Sequence, residues 1–251
     1  MDTSKKLEVT KEHWENPQVV SLKDANLRSI EINSITSALK KHAAGREWSS
    51  LADFGCGDGF DTQQYSKLAK KTVGFDYSSE MLSRASKLQG DTLKFQKLDL
   101  ISGDVFGTYD AVVTKRFVIN LGDWAIQSKC LKKIAGAIEP GGIFCLLECY
   151  RSGLENVNSH RVKAGLPPLV EPYHNTYMDF DKVLGLMSGD FSVVETRDFS
   201  TYFYLTRCVA PFVMGENAFD FDEKMRLLAE SDDVLQGSGI GPQRLVCFKR
   251  K

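Results

Sequence analysis

Short apolar runs alternate along this chain with segments whose apolar positions recur at helical spacing. Leu27, Ile30, Ile35, Ala38 and Leu39 form such a stripe within a region, Lys11 to Ala44, that reads as helical. Beyond it the pattern predicts strands at 50–54, 72–76, 92–99, 109–114 and 143–148, with helices at 61–70, 79–87 and 123–138 between them. Glu139-Pro140-Gly141-Gly142 is expected to end the last of these helices. Strands that alternate with helices imply βαβ units and a largely parallel sheet with right-handed crossovers, an α/β fold. Two further strand-like runs lie at 191–196 and 244–249. No internal repeat or low-complexity linker interrupts the chain.

Composition narrows the picture only a little. Over 251 residues, 32 basic side chains balance 33 acidic ones, so no basic footprint for nucleic acid is present. Six cysteines are scattered without a C-x-x-C pair, which argues against a structural zinc site or a thioredoxin-like centre, and no metal motif is visible. No apolar run approaches the ~20 residues that cross a bilayer. No signal-like segment opens the sequence. A cytoplasmic protein without membrane or nucleic-acid partners, monomeric or homodimeric, is the expectation.

The chemistry concentrates in Leu51-Ala52-Asp53-Phe54-Gly55-Cys56-Gly57-Asp58-Gly59-Phe60. A strand runs into three glycines at alternate positions and then a helix start, which brings backbone close to a ligand. The spacing is G-x-G-x-G, not the G-x-G-x-x-G of pyrophosphate loops. Asp53, two residues before Gly55, would repel phosphate and attract a cation. A nucleoside with a positively charged tail fits, as in S-adenosylmethionine; an ordinary strand-to-helix turn is the plainer reading. The segment resembles the first motif of the class I S-adenosylmethionine-dependent methyltransferases. Asp76 ends the next strand seventeen residues beyond Gly59, near the position where an acidic residue binds ribose hydroxyls. A helix N-cap is its alternative role.

The resemblance implies a Rossmann-like, seven-stranded, mostly parallel sheet with helices on both faces, plus helical and loop lid insertions, and it ends in an antiparallel strand pair that 191–196 and 244–249 suit. It implies one domain over 1–251, with a core of 45–149 and 179–199 together with 240–251. Lid or substrate elements are then 1–44, 150–178 and 200–239. S-adenosylmethionine would be held by Asp53, Gly55, Cys56, Gly57, Asp76, Tyr77, Asp99, Leu100 and Thr114, with Asp99 beside the adenine.

Substrate residues are expected after the fourth and fifth strands. Pro172-Tyr173-His174-Asn175-Thr176-Tyr177 resembles a Pro-x-His-Asn-x-Tyr segment of bacterial small-molecule methyltransferases. His174 is the leading general base, with a loop hydrogen bond as its plainer role. Glu148 is a second candidate base or a partner for an arginine. Arg116 suits a carboxylate or phosphate, or else a salt bridge. Asn120, Arg161, Tyr173, Asn175 and Tyr177 complete the expected substrate contacts. Tyr202, Phe203, Tyr204 and Arg207 form either a substrate wall or a half-buried strand. Thr114-Lys115-Arg116-Phe117 stands where base-modifying DNA methyltransferases carry Asn/Asp-Pro-Pro-Tyr/Phe. The implied activity is methyl transfer to a small polar metabolite, with oxygen favoured as acceptor. A methyltransferase acting on RNA or protein and a non-catalytic donor-binding protein are the alternatives.

Overall fold

The computed structural model describes residues 2–20, 23–215 and 223–251. Residues 216–222 of the expected 200–239 element, and 1, 21 and 22 of the expected 1–44 element, lie outside these. Seven strands form one sheet: β1 (Leu51–Phe54), β2 (Thr72–Asp76), β3 (Leu93–Lys97), β4 (Tyr109–Lys115), β5 (Ile138–Cys149), β6 (Phe191–Asp198) and β7 (Gln243–Arg250). Their order is β3-β2-β1-β4-β5-β7-β6. The first five run parallel, and β7 lies antiparallel between β5 and β6.

Residues along each strand face opposite sides, and each side has its own core. Leu51, Ala111, Val113, Ile143, Cys145, Leu147, Leu245 and Cys247 face one layer. It contains α2 (Ala25–Ala43), α3 (Phe60–Tyr65), α6 (Arg151–Lys163) and α8 (Ser200–Phe203). Ala52, Phe54, Val112, Phe144, Leu146, Val246 and Phe248 face the other, which holds α5 (Trp124–Gly136) and α7 (Phe180–Met187). Helices thus cover both faces, as the alternating pattern implies.

Three local expectations need correction. The region 11–44 is not one helix. It is divided between α1 (Thr3–Glu15) and α2, and the Asp24 carboxylate caps α2 by accepting the Leu27 N–H at 2.8 Å. The stripe predicted from Leu27 to Leu39 is the buried face of α2. The Pro140-Gly141-Gly142 turn does not precede β5 but is built into its leading half, where the pairing of β4 with β5 shifts register between Tyr109 and Ala111. Residues 202–204 are helical, not a strand: α8 leads into a π-helical segment, Tyr204–Val209. Tertiary contacts there override local β propensity.

The order 3-2-1-4-5 makes the chain reverse direction across the sheet between β1 and β4. A crevice opens at such a point beyond the carboxyl ends of parallel strands. Because β7 is antiparallel, its first residues stand at that same edge, and Gln243 lies in register with Cys149, the last residue of β5. Among the described residues no helix is long and apolar enough to cross a membrane.

Candidate active site

The glycine loop after β1 has the geometry its composition requires. Gly55, Gly57 and Gly59 have φ of 79°, 53° and 77°, in the left-handed region. At Gly55 a Cβ would lie 2.4 Å from the Phe117 ring, and at Gly59 2.6 Å from Phe95. At Gly57 it would meet nothing within 4 Å.

Most of the loop's N–H groups are already taken. Gly55 and Cys56 donate to the Phe75 carbonyl, Gly59 donates to the Cys56 carbonyl, and Phe60 donates to Asp58. Gly57 donates to Asp76 Oδ2 at 2.9 Å. A phosphate cradle needs such groups free, so the internal pairing agrees with the G-x-G-x-G spacing in excluding one. Asp76 Oδ1 accepts from Ser78 N–H at 2.9 Å. Ser78, not Asp76, caps α4 (Ser79–Ala85), since its hydroxyl accepts the Met81 N–H. Each Asp76 oxygen retains a second lone pair.

Asp53, at the same edge, is buried and accepts the Thr62 hydroxyl at 2.6 Å. Burial pushes its carboxyl up to about 7; the Thr62 hydrogen bond opposes this, and Asp61 nearby adds to it.

Over this edge lies a cavity of about 430 Å³. Its wall takes residues from the ends of β1, β2, β4 and β5, the start of β7, the loop 169–177 and the N-terminal region. α1 is tied across it. On one bank Tyr77 donates to the Thr10 carbonyl, Ser78 to the Trp14 carbonyl, and Lys11 pairs with Asp99 at 2.8 Å. On the other, Thr10 donates to the His174 carbonyl, Lys6 to the Asn175 carbonyl, and His13 hydrogen-bonds the Tyr173 hydroxyl.

With this geometry the chain can be compared with known proteins. Residues 51–142, β1 through the first half of β5, match a family described as a methyltransferase domain. The chain carries a methyltransferase domain. No curated protein matches its sequence. Among solved structures it is similar to the N-methyltransferase NodS from Bradyrhizobium japonicum WM9 in complex with S-adenosyl-L-homocysteine. That likeness has a TM-score of 0.58 at 12% identity over 98% of both chains. It is also similar to magnesium protoporphyrin IX methyltransferase (ChlM) from Synechocystis PCC 6803 with bound S-adenosylhomocysteine. Here the TM-score is 0.59 at 14% identity, over 97% of this chain and 94% of that one. A third, the DhpI–S-adenosylhomocysteine complex, gives 0.54 at 15% identity, covering 99% and 96%. At these identities the likeness is one of fold, and it extends beyond the methyltransferase domain to nearly the whole chain.

Within the methyltransferase domain, Asp53, Gly55, Cys56, Gly57, Asp76 and Tyr77 line the cavity as a group. Asp99, Leu100 and Thr114 stand outside its lining. Asp99 follows the end of β3 by two residues and is held by Lys11 and the Ile101 N–H. Leu100 is buried, with its carbonyl accepting from Lys133. Thr114 faces the interior, and its hydroxyl has no partner.

Of the expected catalytic and substrate residues, Arg116, Asn120, His174, Asn175 and Tyr177 line the cavity. Their atoms are partly committed. Arg116, at a strained φ of 51°, pairs through Nε with buried Glu31 at 3.4 Å. Asn120 donates to the Arg116 carbonyl and accepts from Trp14 Nε1. The His174 ring stacks on His13 with centroids 4.2 Å apart, and its Nδ1 is buried without a partner. Burial, and then His13 and Lys6, lower its pKa to about 4, so it is neutral at physiological pH.

Three expected site residues are placed otherwise. Glu148 is fully buried outside the lining, where it accepts the N–H groups of Phe117 at 3.0 Å, Val118 at 2.9 Å and Ile119 at 3.4 Å. It anchors the loop after β4. Arg161 is 3% exposed and donates to the carbonyls of Pro167 and Arg207, which braces the insertion. Tyr173 is 58% exposed, lies outside the cavity lining, hydrogen-bonds His13 and meets the His174 ring edge-on at 5.0 Å.

Sequence reasoning missed the ionic floor of the cavity. Lys115 at the end of β4 pairs with Glu31 at 3.1 Å and Asp61 at 2.9 Å, and Arg28 pairs with Asp61 at 2.7 Å and Asp58 at 3.0 Å. It also missed Asp24, which accepts from Arg207 and from the Tyr202 hydroxyl. Nothing local in the sequence pairs residues so far apart.

Proposed function

We propose that this protein transfers a methyl group from S-adenosylmethionine to a hydroxyl or amine of a small molecule. The observation that carries the reading is the Asp76 carboxylate clasping Gly57 N–H at the mouth of a glycine loop whose Gly55, Cys56 and Gly59 N–H groups are taken within the protein. That loop offers acceptors and a carboxylate rather than phosphate donors. The bound S-adenosylhomocysteine of the structurally similar NodS, ChlM and DhpI supports the same donor.

S-adenosylmethionine supplies an electrophilic methyl group on a sulfonium that leaves as a neutral thioether. The chain's part is to position and to exclude water. Asp76 offers two lone pairs to ribose hydroxyls. Asp53, once ionised, offers a negative field to the donor's cationic end. α1, fastened on both banks, closes the cavity over a small acceptor.

His174 is too weak a base at a pKa of about 4 to hold a proton at neutral pH. Its neutral ring serves instead as a hydrogen-bond acceptor that orients the nucleophile. An amine can lose its proton to solvent before binding, whereas a hydroxyl needs a base at the site; with His174 this weakly basic, oxygen is no longer favoured over nitrogen as the nucleophile. Calorimetry with S-adenosylhomocysteine tests the donor site: micromolar binding supports it, and no retention at near-millimolar ligand overturns it. Release of S-adenosylhomocysteine from S-adenosylmethionine on addition of a small-molecule extract tests turnover.

A further inference from the structure

Most of the cations in the cavity wall are committed to fixed partners. Arg28 is held by Asp58 and Asp61, Lys115 by Glu31 and Asp61, Arg116 by Glu31, and Arg207 by Asp24. Lys23 differs from them. It lines the same wall, it is exposed, and among the described residues no carboxylate pairs with it.

An exposed lysine is ordinarily a solvated charge and nothing more. The surroundings of Lys23 give it a direction. It directly precedes Asp24, the N-cap of α2, and Asp24, Leu27 and Arg28 line the cavity with it. The positive end of a 19-residue helix therefore opens at this wall, where its dipole favours an anion. The Asp24 carboxylate is engaged by the Leu27 N–H at 2.8 Å, by Arg207 at 2.9 Å and by the Tyr202 hydroxyl at 2.9 Å. Arg28, one turn further along α2, faces the glycine loop through Asp58.

The bank that Asp24 ties to Lys23 is apolar. The Arg207 guanidinium held by Asp24 lies 5.7 Å over the Phe203 ring, and Leu154 and Leu169 pack against the core that contains Phe203. All three apolar side chains line the cavity. A charge carried into such a chamber is costly unless it is paired. An anion at Lys23 avoids that cost, because it stays partly in water at the rim while an apolar body is buried.

We propose that Lys23 is a specificity-determining residue, and that the acceptor is a carboxylic acid with an apolar body. Its carboxylate sits at the rim between Lys23 and the first turn of α2, and its body lies along Phe203 and Leu169. One uncommitted cation matches one negative charge, so a carboxylate suits it better than a phosphate monoester with two. This rests on the methyl-transfer reading of the cavity and names the substrate class of that site.

Calorimetry on the protein saturated with S-adenosylhomocysteine tests it with three probes. 1-Naphthoate carries the carboxylate, 1-naphthamide has the same shape without charge, and 1-naphthyl phosphate carries a second charge. At low ionic strength 1-naphthoate is expected to bind at least ~5-fold more tightly than 1-naphthamide, with the advantage shrinking as salt is added. Lys23→Gln should bring the two within ~2-fold, with S-adenosylhomocysteine affinity unchanged, and Lys23→Arg should keep the preference. No preference for naphthoate in the unaltered protein, a preference that survives Lys23→Gln, tighter binding of the phosphate than of naphthoate, or no binding of any probe would each overturn the inference. A loss of S-adenosylhomocysteine affinity in Lys23→Gln would also overturn it, by assigning Lys23 to the donor's own carboxylate. Failure of S-adenosylhomocysteine to bind the unaltered protein would show first, and would overturn the donor site on which the inference stands.

Discussion

Asp76 Oδ2 accepts the backbone N–H of Gly57 at 2.9 Å, joining the end of β2 to the middle of the loop that follows β1. The contact fixes two things at once. It holds the glycine loop in its left-handed turns, and it orients the carboxylate at the cavity wall. Parallel pairing of β1 with β2 places the two segments side by side, with Phe54 opposite Phe75.

Asp76→Ala should therefore weaken S-adenosylhomocysteine binding by about 1–3 kcal/mol, because hydroxyls and the Gly57 N–H lose their acceptor together. Calorimetry measures this directly. Affinity equal to that of the unaltered protein would remove Asp76 from the donor site.

Gly55 and Gly57 should respond differently to alanine. Both need a left-handed backbone, which costs an alanine about 1–2 kcal/mol. Only at Gly55 does the new Cβ also collide, with Phe117 at 2.4 Å, while at Gly57 it points into open space. Thermal denaturation should show Gly55→Ala much less stable than Gly57→Ala. The latter should fold and show its defect mainly in donor binding, since its methyl group occupies cavity space.

Asp53 links both stability and donor affinity to pH. Its folded pKa of about 7 lies above the model-peptide value of 3.8. The folded state therefore binds the proton more tightly than the unfolded chain does. The stability this gives is complete below about pH 4 and is lost as pH rises through 7. A cationic donor prefers the ionised carboxyl, so its affinity should rise between pH 5 and 7 and level off above. Asp53→Asn should flatten both profiles, as measured by thermal shift and calorimetry. If the asparagine variant keeps the unaltered pH dependence, another group is responsible.

Glu148 and His174 separate structure from chemistry. Removing the Glu148 carboxylate leaves three backbone N–H groups without their acceptor. Glu148→Ala should lower stability by at least about 3 kcal/mol. His174→Ala should instead lower turnover by roughly 10- to 100-fold with donor affinity unchanged. His13→Ala should raise the His174 pKa, because it removes both the stacked ring and a neighbouring charge. Proton NMR titration of the imidazole reads this shift.

Local sequence determined a good deal of this protein. The block alternation gave the strands and most of the helices, since periodicity records which face is buried. The glycines at 55, 57 and 59 announced left-handed turns, and the strand-end position of Asp53 and Asp76 followed from the same pattern. What the sequence left open depended on the partners each residue meets across space. Glu148 and Arg161 look like reactive groups in a linear reading, yet folding buries both against backbone that is distant in sequence. Gln243 looked like nothing, because it opens a strand rather than ends one. Only the antiparallel insertion of β7 beside β5 brings it to the edge of the sheet where the cavity lies. A residue's type and spacing fix its local conformation, but the groups that surround it, and so its protonation and its use, are decided by chain segments that can be a hundred or more residues away.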